Sequence, residues 1–475
     1  MPQVPPLSVL VCDLDDTLIK TDILFESVLK LVRTKPMKAL LLPLWFARSK
    51  AYAKHQILKY APIDPATLPY RDEVLRYLRD RRAQGSKVIL ASASNHQIVQ
   101  EIADHCQCFD EAQGSSPTQN LKSKAKLAWI NQNFPGPFEY IGDSAADLAI
   151  WQKSAHAVMV NPSARTTRKV KSFGIASTTI DDRAPRAKLI LKQMRIHQWV
   201  KNALIAVPMI AAHSTQSIDT WLQVITGIAS FSLIASMVYV LNDMLDVEND
   251  RRHPTKKNRP FAAGNLPLKS GFTLAPILGA GSFLLAWALG PKFVSVIAIY
   301  FALNMVYSTR FKETIMLDVV ILASFYTLRL MAGSEATGIP ISHWLLSFST
   351  FFFLGLAMVK RYTELLRIVG KSQRALHGRG YSGEDKIPVL VMGITCSLMS
   401  ILILSLYFAS PEIRALYSVH LRLWSLAPLM LFWNGRIWLM TNRGQIDDDP
   451  VVFAVKDKIS WLVLAAAALV IKSAT

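Results

Sequence analysis

The chain has 475 residues, 51% of them hydrophobic, and its 53 basic and 34 acidic side chains give a formal net charge of +19. This length exceeds that of a typical single domain, and the four cysteines are too few and too scattered for a disulfide framework. The basic charge comes without an aromatic-interleaved patch or a reader motif. It therefore excludes a nucleic-acid partner and favours phosphates and an anionic membrane surface.

The first predicted element is a buried strand, VLVCDLDDT at 9–17, which ends in acidic residues. It follows Met1 so closely that no cleavable signal peptide is expected. Asp13 and Asp15 are two residues apart, so an extended chain places both side chains on one face. One of them can then act as a nucleophile and the other as a general acid and base.

Residues 22–80 are predicted to form a helical insert. It contains the apolar run LLLPLWFA at 40–47, followed by Arg48, Lys50 and Lys54. This pattern favours the buried face of a small helical cap, while an interfacial helix that touches the membrane stays open. A cap that rests on lipid would suit an enzyme whose substrate is anchored there.

Two further strands are predicted to end in polar residues. The run KVILASAS at 87–94 carries Ser92, and a later strand ends in GDSAAD at 142–147. Three lysines lie between these strands: Lys122, Lys124 and Lys126. Strands that alternate with helices indicate a Rossmann-like α/β domain, with a parallel sheet and a site at the carboxyl ends of its strands.

The order of these motifs over residues 7–175 resembles the haloacid dehalogenase superfamily of phosphohydrolases. The motif DxDxT falls at Asp13–Thr17, a serine at Ser92, a lysine follows, and GDxxxD falls at Gly142–Asp147. The resemblance therefore implies an N-terminal phosphatase domain with a small helical cap.

By this resemblance, Asp13 attacks phosphorus to form an aspartyl-phosphate, and Asp15 protonates the leaving oxygen and then activates water. Ser92 and a lysine hold the phosphoryl oxygens; Lys126 is favoured, with Lys122 and Lys124 as alternatives. Three aspartates would hold Mg²⁺: Asp13, Asp143 and Asp147. A phosphate ester needs such a nucleophile, cation and metal because its charge must be offset.

The rest of the chain is predicted to lie in a membrane. The limits are 1–175 for the first domain, 176–194 for a basic linker and 195–475 for an all-α polytopic bundle of about nine helices. The expected spans are 203–213, 218–241, 271–290, 293–309, 316–333, 343–359, 388–409, 422–440 and 458–473.

Charge asymmetry predicts how this bundle is oriented. The loops after the second, fourth, sixth and eighth spans hold most of the cations, among them Arg251, Arg310, Lys360 and Lys456. The positive-inside rule then places the N-terminal domain and both candidate sites on the cytoplasmic side of the inner membrane.

The most informative motif ends the second span, where YVLNDMLDVEND brings together Asn242, Asp243, Asp246 and Asp250. Four-residue steps place Asp246 and Asp250 on one helical face, with Asp243 one further turn back. Three carboxylates this close repel one another unless a cation lies between them, and hard oxygen ligands suit Mg²⁺ with substrate phosphates. The motif predicts a site where a soluble pyrophosphate meets a lipid.

Other polar residues near the apolar runs are candidates for substrate binding. With Asn242 they are Lys201, Asn202, Lys256, Lys257, Arg259, Tyr307, Arg310, Lys312, Asp318, Arg329, Lys360 and Arg361. Asp318 and Arg329 are roughly 16 Å apart along a helix, so they cannot pair directly, and their shared face predicts a common polar cavity. For Arg310, Lys360 and Arg361, an alternative role is equally open: they would orient the helices in the membrane as ordinary positive-inside residues and bind no substrate.

These patterns over about 190–475 resemble the UbiA family of membrane prenyltransferases. The resemblance rests on NDxxDxxxD, HQWVKN, DRxHPTKxxRP and KRYxEL, which are similar to the branch that contains decaprenyl-phosphate phosphoribosyltransferase. Members that act on aromatic substrates would bring a second motif, DxxxD, near the fourth and fifth spans. This chain has Tyr307, Lys312 and a single Asp318 there.

The branch implies that phosphoribosyl pyrophosphate donates its 5-phosphoribosyl group to a polyprenyl phosphate. Mg²⁺ held by Asp243, Asp246 and Asp250 would neutralise the leaving pyrophosphate, and the nearby cations would hold the sugar or lipid phosphate. The fused phosphatase would then remove the 5-phosphate. Two alternatives are prenylation of an aromatic or quinone ring beside an independent phosphatase, and a non-catalytic membrane scaffold. Oligomerisation stays open.

Overall fold

This computed structural model describes residues 8–309, 311–369, 380–446 and 449–475. The fold divides into two compact units. The first runs to Met194 and also includes Tyr239–Ala275, while the second comprises Arg195–Val238 and Pro276–Thr475. The acidic motif therefore belongs to the same compact unit as the α/β domain. The domain limits drawn from the sequence stay a prediction.

The first unit contains a six-stranded, all-parallel sheet with the strand order β3-β2-β1-β4-β5-β6. The strands are β1 Val9–Cys12, β2 Lys87–Asn95, β3 Glu111–Ser115, β4 Phe138–Gly142, β5 His156–Val160 and β6 Ala176–Ile180. The order reverses between β1 and β4, and parallel sheets place their sites at such a point, beyond the carboxyl ends of the strands. The predicted Rossmann-like α/β domain is confirmed.

The α-helices follow in chain order. They are α1 Ile23–Thr34, α2 Pro36–Ala39, α3 Leu42–Arg48, α4 Lys50–Tyr60, α5 Asp72–Ala83, α6 His96–Cys106, α7 Lys124–Asn133, α8 Leu148–Trp151, α9 Ala164–Lys171, α10 Arg186–Gln193, α11 Val207–Ala211, α12 Ile218–Leu245, α13 Val247–Arg252, α14 Leu268–Leu289, α15 Pro291–Thr309, α16 Leu317–Thr337, α17 His343–Val369, α18 Lys386–Ala409, α19 Pro411–Leu416, α20 Leu426–Asn442, α21 Pro450–Lys456 and α22 Lys458–Ala474.

The sheet is buried on both faces, which explains why its strands are continuous apolar runs. Leu10 and Leu90 pack into the core on one face, whereas their strand neighbours Val11 and Ile89 pack into the core on the other. Side chains alternate along a strand, so two central strands supply both layers. The site-bearing loops are thus anchored to a rigid centre.

The predicted helical insert forms α1 to α4 and has a small core of its own. Leu31, Trp45, Ala53 and Ile57 are buried together in it. Pro36 stands at the start of α2, and proline both disfavours a helical residue before it and suits the first helical turn. The chain therefore breaks after α1 and turns into a compact helical cap.

Six helices in the described residues are long and apolar enough to cross a membrane. They are Ile218–Leu245, Leu268–Leu289, Pro291–Ser308, Leu317–Thr337, His343–Arg367 and Gly383–Ala409. The predicted count of nine is not confirmed. The helices α20 and α22 have 17 residues each, about 26 Å of rise against a hydrocarbon core of about 30 Å. The first expected span forms a 3₁₀ segment, Ile196–Ala206, followed by the short α11.

Small and hydroxyl residues mediate helix packing in the second unit. The Ser230 hydroxyl donates to the Ser282 carbonyl at 2.9 Å, and the Ser282 hydroxyl donates back to the Ser230 carbonyl at 2.8 Å. The indole of Trp438 donates to the Ser397 hydroxyl at 3.0 Å. Close approach of backbones and interhelical hydrogen bonds are how helices associate where lipid removes the hydrophobic driving force.

Candidate active sites

The loop after β1 positions the two aspartates of the DxDxT motif. The Asp13 amide donates to the Ile141 carbonyl of the neighbouring strand at 3.0 Å, and its carboxylate accepts from the Leu14 amide at 2.8 Å. Asp16 then takes a positive φ of 55°, a conformation that aspartate tolerates better than most residues. The resulting tight turn lets the Asp15 carboxylate accept from the Ile23 amide, the first residue of α1, at 2.9 Å.

Three carboxylates converge at the carboxyl ends of β1 and β4. One oxygen from each of Asp13, Asp143 and Asp147 lies within 4.8 Å of the others. Burial, followed by repulsion from Asp147 and Asp13, raises the pKa of Asp143 to about 8. Hard oxygen donors this close fit Mg²⁺, because a divalent cation relieves their mutual repulsion.

The structure brings Lys126 into this cluster. Its ammonium lies 2.8 Å from Asp13 and donates to the Tyr140 hydroxyl at 3.0 Å, and that hydroxyl donates to Asp147 at 2.8 Å. Lys126 is buried, whereas Lys122 and Lys124 are exposed. The geometry therefore favours Lys126 among the three lysines that the sequence left open.

Asp15 lies beside two serines of β2. The Ser94 hydroxyl donates to its carboxylate at 2.7 Å, while the Ser92 hydroxyl lies 3.5 Å away. Burial, and then the charge of Asp22, raises the pKa of Asp15 to about 7, a value suited to an acid and base near neutral pH. The sequence placed Ser94 at the end of this strand but gave it no role, although its two-residue spacing from Ser92 puts both on one strand face.

Two further lysines approach this site. The Lys54 ammonium in α4 donates to the Ala93 carbonyl at 2.6 Å, and burial lowers its pKa. The Lys269 ammonium, from the start of α14, lies 2.7 Å from Asp16. Nothing in the local sequence around Lys269 indicates this contact, because 253 residues separate the partners.

In the acidic motif, one arginine joins two of the three aspartates. The same Nη1 atom of Arg259 lies 3.0 Å from Asp243 and 2.7 Å from Asp250. Seven residues of straight helix rise about 10.5 Å, but α12 ends at Leu245 and Asp246 has φ −97° and ψ 10°. The kink between α12 and α13 allows the two outer carboxylates to meet at one guanidinium.

Asp246 and Asp250 lie one helical turn apart, since the Asp250 amide donates to the Asp246 carbonyl at 2.8 Å, but the Asp246 side chain has a partner of its own. The Arg33 guanidinium, in the last turn of α1, lies 3.0 Å from Asp246 and donates to the Leu245 carbonyl at 3.4 Å. Two more ion pairs continue this contact along α1: Lys30 with Glu248 at 2.7 Å, and the buried pair of Glu26 with Arg251.

Buried oxygens beside Asp243 test whether this site suits a metal. The Gln193 amide donates to Asp243 at 2.9 Å. Within the described residues, the buried oxygens Gln193 Oε1 and Asn242 Oδ1 have no hydrogen-bond partner. Amide and carboxylate oxygens are donors that a hard cation accepts, so the residues fit Mg²⁺. Gln193 escaped sequence reasoning because it lies in the predicted linker.

The lysines after the motif lie at the surface of the same unit. Lys257 is exposed and, with Lys20, Arg251 and Arg252, lines a cavity of about 420 Å³. Lys256 acts electrostatically on Asp250. Of these two lysines, Lys256 is therefore the one whose charge reaches the acidic motif.

In the second unit, Lys201 and Lys360 share a carboxylate that sequence reasoning missed. The Lys201 ammonium pairs with Asp449. Burial alone would raise the pKa of Asp449, but the charges of Lys201 and Lys360 lower it below its usual value. The signal that could have found Asp449 is the run of three aspartates, DDD at 447–449, in the loop after α20.

Asn202 and Arg329 form one buried polar network. The Asn202 side chain donates to Ser232 at 2.8 Å and accepts from the Arg329 guanidinium at 2.8 Å. That guanidinium also lies 4.9 Å from the ring centre of Phe231 and 5.4 Å from that of Tyr300. Aromatic faces stabilise a buried cation, which explains how an arginine persists inside an apolar bundle.

Asp318 belongs to a separate network, so the predicted common cavity with Arg329 is not what the structure shows. Asp318 pairs with Arg361 and accepts from the Tyr381 hydroxyl at 2.9 Å. Arg361 also pairs with Glu364 and is fully buried. An arginine with two carboxylates around it and no exposure acts as a structural link between α16 and α17.

Two remaining candidates lie in the last turns of α15 and just after it. Tyr307 stacks edge-on against Phe325 with ring centres 5.9 Å apart. Lys312 lies in a short 3₁₀ helix, Phe311–Glu313. Arg310 lies outside the described residues.

Comparison with known proteins assigns both parts of the chain. Residues 202–455 match the UbiA prenyltransferase family, and residues 10–151 match the haloacid dehalogenase-like hydrolases. The chain belongs to the UbiA prenyltransferase family. Its N-terminal part is a haloacid dehalogenase-like hydrolase domain, so the chain combines a transferase with a phosphatase.

Relatives of this UbiA protein share one or both parts. It is 37% identical over 459 residues to the uncharacterized protein y4nM of Sinorhizobium fredii, covering 96% of this chain and 88% of that protein. It is 30% identical over 278 residues to the nodulation protein NoeC of Azorhizobium caulinodans, covering 58% of this chain and 89% of NoeC. It is 38% identical over 180 residues to the decaprenyl-phosphate phosphoribosyltransferase of Mycobacterium tuberculosis, covering 37% of this chain and 60% of that enzyme.

Proposed function

We propose that this chain makes polyprenyl-phosphoryl ribose in two Mg²⁺-dependent steps. An oxygen of a polyprenyl phosphate bonds to ribose C1 of phosphoribosyl pyrophosphate, the C1–O bond to pyrophosphate breaks, and pyrophosphate leaves. Water then hydrolyses the 5-phosphate ester through an aspartyl-phosphate at Asp13, and inorganic phosphate leaves. Both chemistries fit the residue types present in the two sites.

The similarity to decaprenyl-phosphate phosphoribosyltransferase over 180 residues supports the first step. Asp243 and Asp250, with the buried amide oxygens of Gln193 and Asn242, would hold Mg²⁺, which would offset the charge of the leaving pyrophosphate. Arg259 and the neighbouring lysines would orient the phosphates. An oxocarbenium-like transition state at C1 needs charge neutralisation and positioning, and an ionised phosphate acceptor needs no general base.

The geometry around Asp13 supports the second step, which is removal of the 5-phosphate. Asp13 would attack phosphorus, Lys126 and Ser92 would bind the phosphoryl oxygens, and Asp15 would donate a proton to the leaving oxygen. Asp13 lies 2.8 Å from Lys126, and the pKa of Asp15 is raised to about 7 by burial and then by Asp22. With Asp13, the carboxylates of Asp143 and Asp147 would hold the Mg²⁺ of this site.

The observation that carries the two-step proposal is the helix α1, which contacts both acidic sites. Its first amide, at Ile23, holds Asp15, and Arg33 in its last turn holds Asp246. A helix of 12 residues spans about 18 Å. Two sites joined at this range raise the effective concentration of an intermediate that passes from one to the other.

We propose the inner membrane as the location, with both sites on the cytoplasmic side. The candidate spans and the UbiA family indicate an integral membrane protein. The orientation follows from the positive-inside rule. Phosphoribosyl pyrophosphate is soluble, whereas the acceptor lipid is supplied by the bilayer.

The test is a transfer assay with purified protein, Mg²⁺, polyprenyl phosphate and phosphoribosyl pyrophosphate labelled in the ribose. Label is expected in the organic phase, and Asp243→Asn should abolish it. Asp13→Asn should leave labelled lipid that keeps its 5-phosphate. Activity that instead requires a polyprenyl pyrophosphate and an aromatic acceptor would replace the proposal with ring prenylation.

A further inference from the structure

The cap carries a segment with an unusual charge. Residues 27–63 contain eight lysines and arginines and no aspartate or glutamate. The basic residues are Lys30, Arg33, Lys35, Lys38, Arg48, Lys50, Lys54 and Lys59. Lys30 and Arg33 pair with Glu248 and Asp246, whereas five of the eight are exposed: Lys35, Lys38, Arg48, Lys50 and Lys59. Exposed cations in a segment without an acidic residue are complementary to an anionic surface.

The same segment exposes large apolar side chains. Met37 is 76% exposed, Leu40 70% and Leu44 67%, although each lies within or beside a helix of the cap. Removing such side chains from water is favourable, so leaving three of them exposed is unfavourable. Several large apolar side chains exposed within one short segment indicate a binding surface. We call residues 36–48 the cap patch.

Cations surround the cap patch and are held by aromatic rings. The ammonium groups of Lys35 and Lys38 lie 5.5 Å and 5.2 Å from the ring centre of Tyr60, and the Arg48 guanidinium lies 4.3 Å from that of Tyr52. The segment supplies no carboxylate of its own to pair with them. Apolar side chains flanked by cations are the composition of elements that lie in a membrane interface.

The cap patch is rigidly connected to the phosphatase site. Trp45 is buried in α3 and stacks on Tyr60 of α4 with ring centres 5.7 Å apart. From the same α4, Lys54 donates to the Ala93 carbonyl, between the two serines that flank Asp15. A surface that fixes α3 therefore also fixes the cap against the strand that carries the site.

We propose that the cap patch inserts into the interface of an anionic lipid bilayer and thereby holds the phosphatase site at the level of lipid-linked phosphate esters. The occupant is the bilayer, because exposed apolar side chains and exposed cations together match lipid tails and anionic headgroups. The choice of substrate class rests on the proposed function, whereas the docking itself does not.

The docking is tested with the full chain reconstituted in vesicles that contain phosphatidylglycerol. A nitroxide is attached at Leu40→Cys in a variant without the native cysteines whose hydrolysis of p-nitrophenyl phosphate matches wild type. Oxygen, which is concentrated in the bilayer, is expected to speed the electron-spin relaxation of this nitroxide more than a water-soluble nickel chelate does. The matched control is Gln132→Cys on the exposed face of α7, where the chelate should dominate.

Equal chelate access at both positions would overturn the proposal. The proposal would also be overturned if the spectrum of the Leu40→Cys label were broadened by a second nitroxide and the label were shielded from both oxygen and the chelate. The cap patch would then be covered by a second copy of the chain.

A functional measurement separates this proposal from the proposed function. The variant Met37→Gln/Leu40→Gln/Leu44→Gln should hydrolyse p-nitrophenyl phosphate as wild type does, while its removal of phosphate from the lipid-linked transfer product falls about tenfold, as expected when effective concentration is lost. An unchanged rate on the lipid product would overturn the link to substrate. If no lipid product forms in wild type, the proposed function fails and the nitroxide result alone decides docking.

Discussion

The two acidic sites contain the same residue types but relieve their repulsion differently. In the phosphatase site, the three carboxylates lie within 4.8 Å and one lysine sits among them. In the acidic motif, Arg259 joins two aspartates and Arg33 takes the third. One lysine from α7 serves the first site, whereas two arginines from different parts of the unit serve the second.

The backbone explains this difference. Adjacent parallel strands β1 and β4 fix the positions of Asp13 and Asp143, so their carboxylates cannot separate. The end of α12 kinks at Asp246, so carboxylates there can turn toward separate partners. A sheet edge therefore preorganises a metal site, while a helix end depends on the residues packed around it.

The largest expected effect concerns the lysine inside the phosphatase cluster. Lys126→Met should lower hydrolysis of p-nitrophenyl phosphate by about a thousandfold, because one preorganised charge at a reacting group is worth roughly 10²–10³ or more. Ribosyl transfer should stay within about twofold. The control is Lys122→Met on the exposed surface, and a comparable loss there would remove the distinction between the lysines.

The next effect concerns the contact between α1 and α13. Glu26→Gln should lower the free energy of unfolding by about 3 kcal/mol, since it leaves the buried Arg251 guanidinium without its carboxylate. The more exposed pair of Lys30 and Glu248 serves as control, and Lys30→Ala should cost less than about 1 kcal/mol. Denaturant titration of the purified protein measures both; equal costs would show that burial is not what makes the first pair matter.

A smaller effect tests whether Arg259 and Mg²⁺ compete for the carboxylates of Asp243 and Asp250. Arg259→Gln should lower the Mg²⁺ concentration for half-maximal protection against thermal unfolding by about tenfold, because Asp243 and Asp250 then repel each other until a cation binds. The same variant should be less stable than wild type in EDTA. Arg259→Lys should restore stability in EDTA, and a raised Mg²⁺ requirement in Arg259→Gln would show that the arginine does not compete with metal.

The smallest expected effect lies at the rim of the phosphatase site. Lys269→Gln should raise KM for an anionic soluble ester about threefold with kcat unchanged, because removing the charge beside Asp16 weakens steering of the anion. Steady-state kinetics on ribose 5-phosphate measure this. Lys153→Gln, at an exposed position after α8, should change neither constant; a matching rise there would mean that net charge alone acts.

The sequence by itself determined the two-part architecture and the chemical type of each site. Acidic and hydroxyl residues at the ends of predicted strands had to meet, because all strands of a parallel sheet end on one side. Long apolar runs ending in NDxxDxxxD likewise had to bring carboxylates to the membrane surface. These inferences need only local periodicity and the geometry of regular elements.

Tertiary structure alone decided which partners each residue takes. Three lysines two residues apart look equivalent in sequence, yet only Lys126 turns into the cluster. Arg33 and Lys269 lie more than 200 residues from the carboxylates that they contact, and Gln193 lies 50 residues from Asp243. Such pairs depend on how helices pack and where one of them kinks, which are decided by contacts summed over the whole fold rather than by any local pattern.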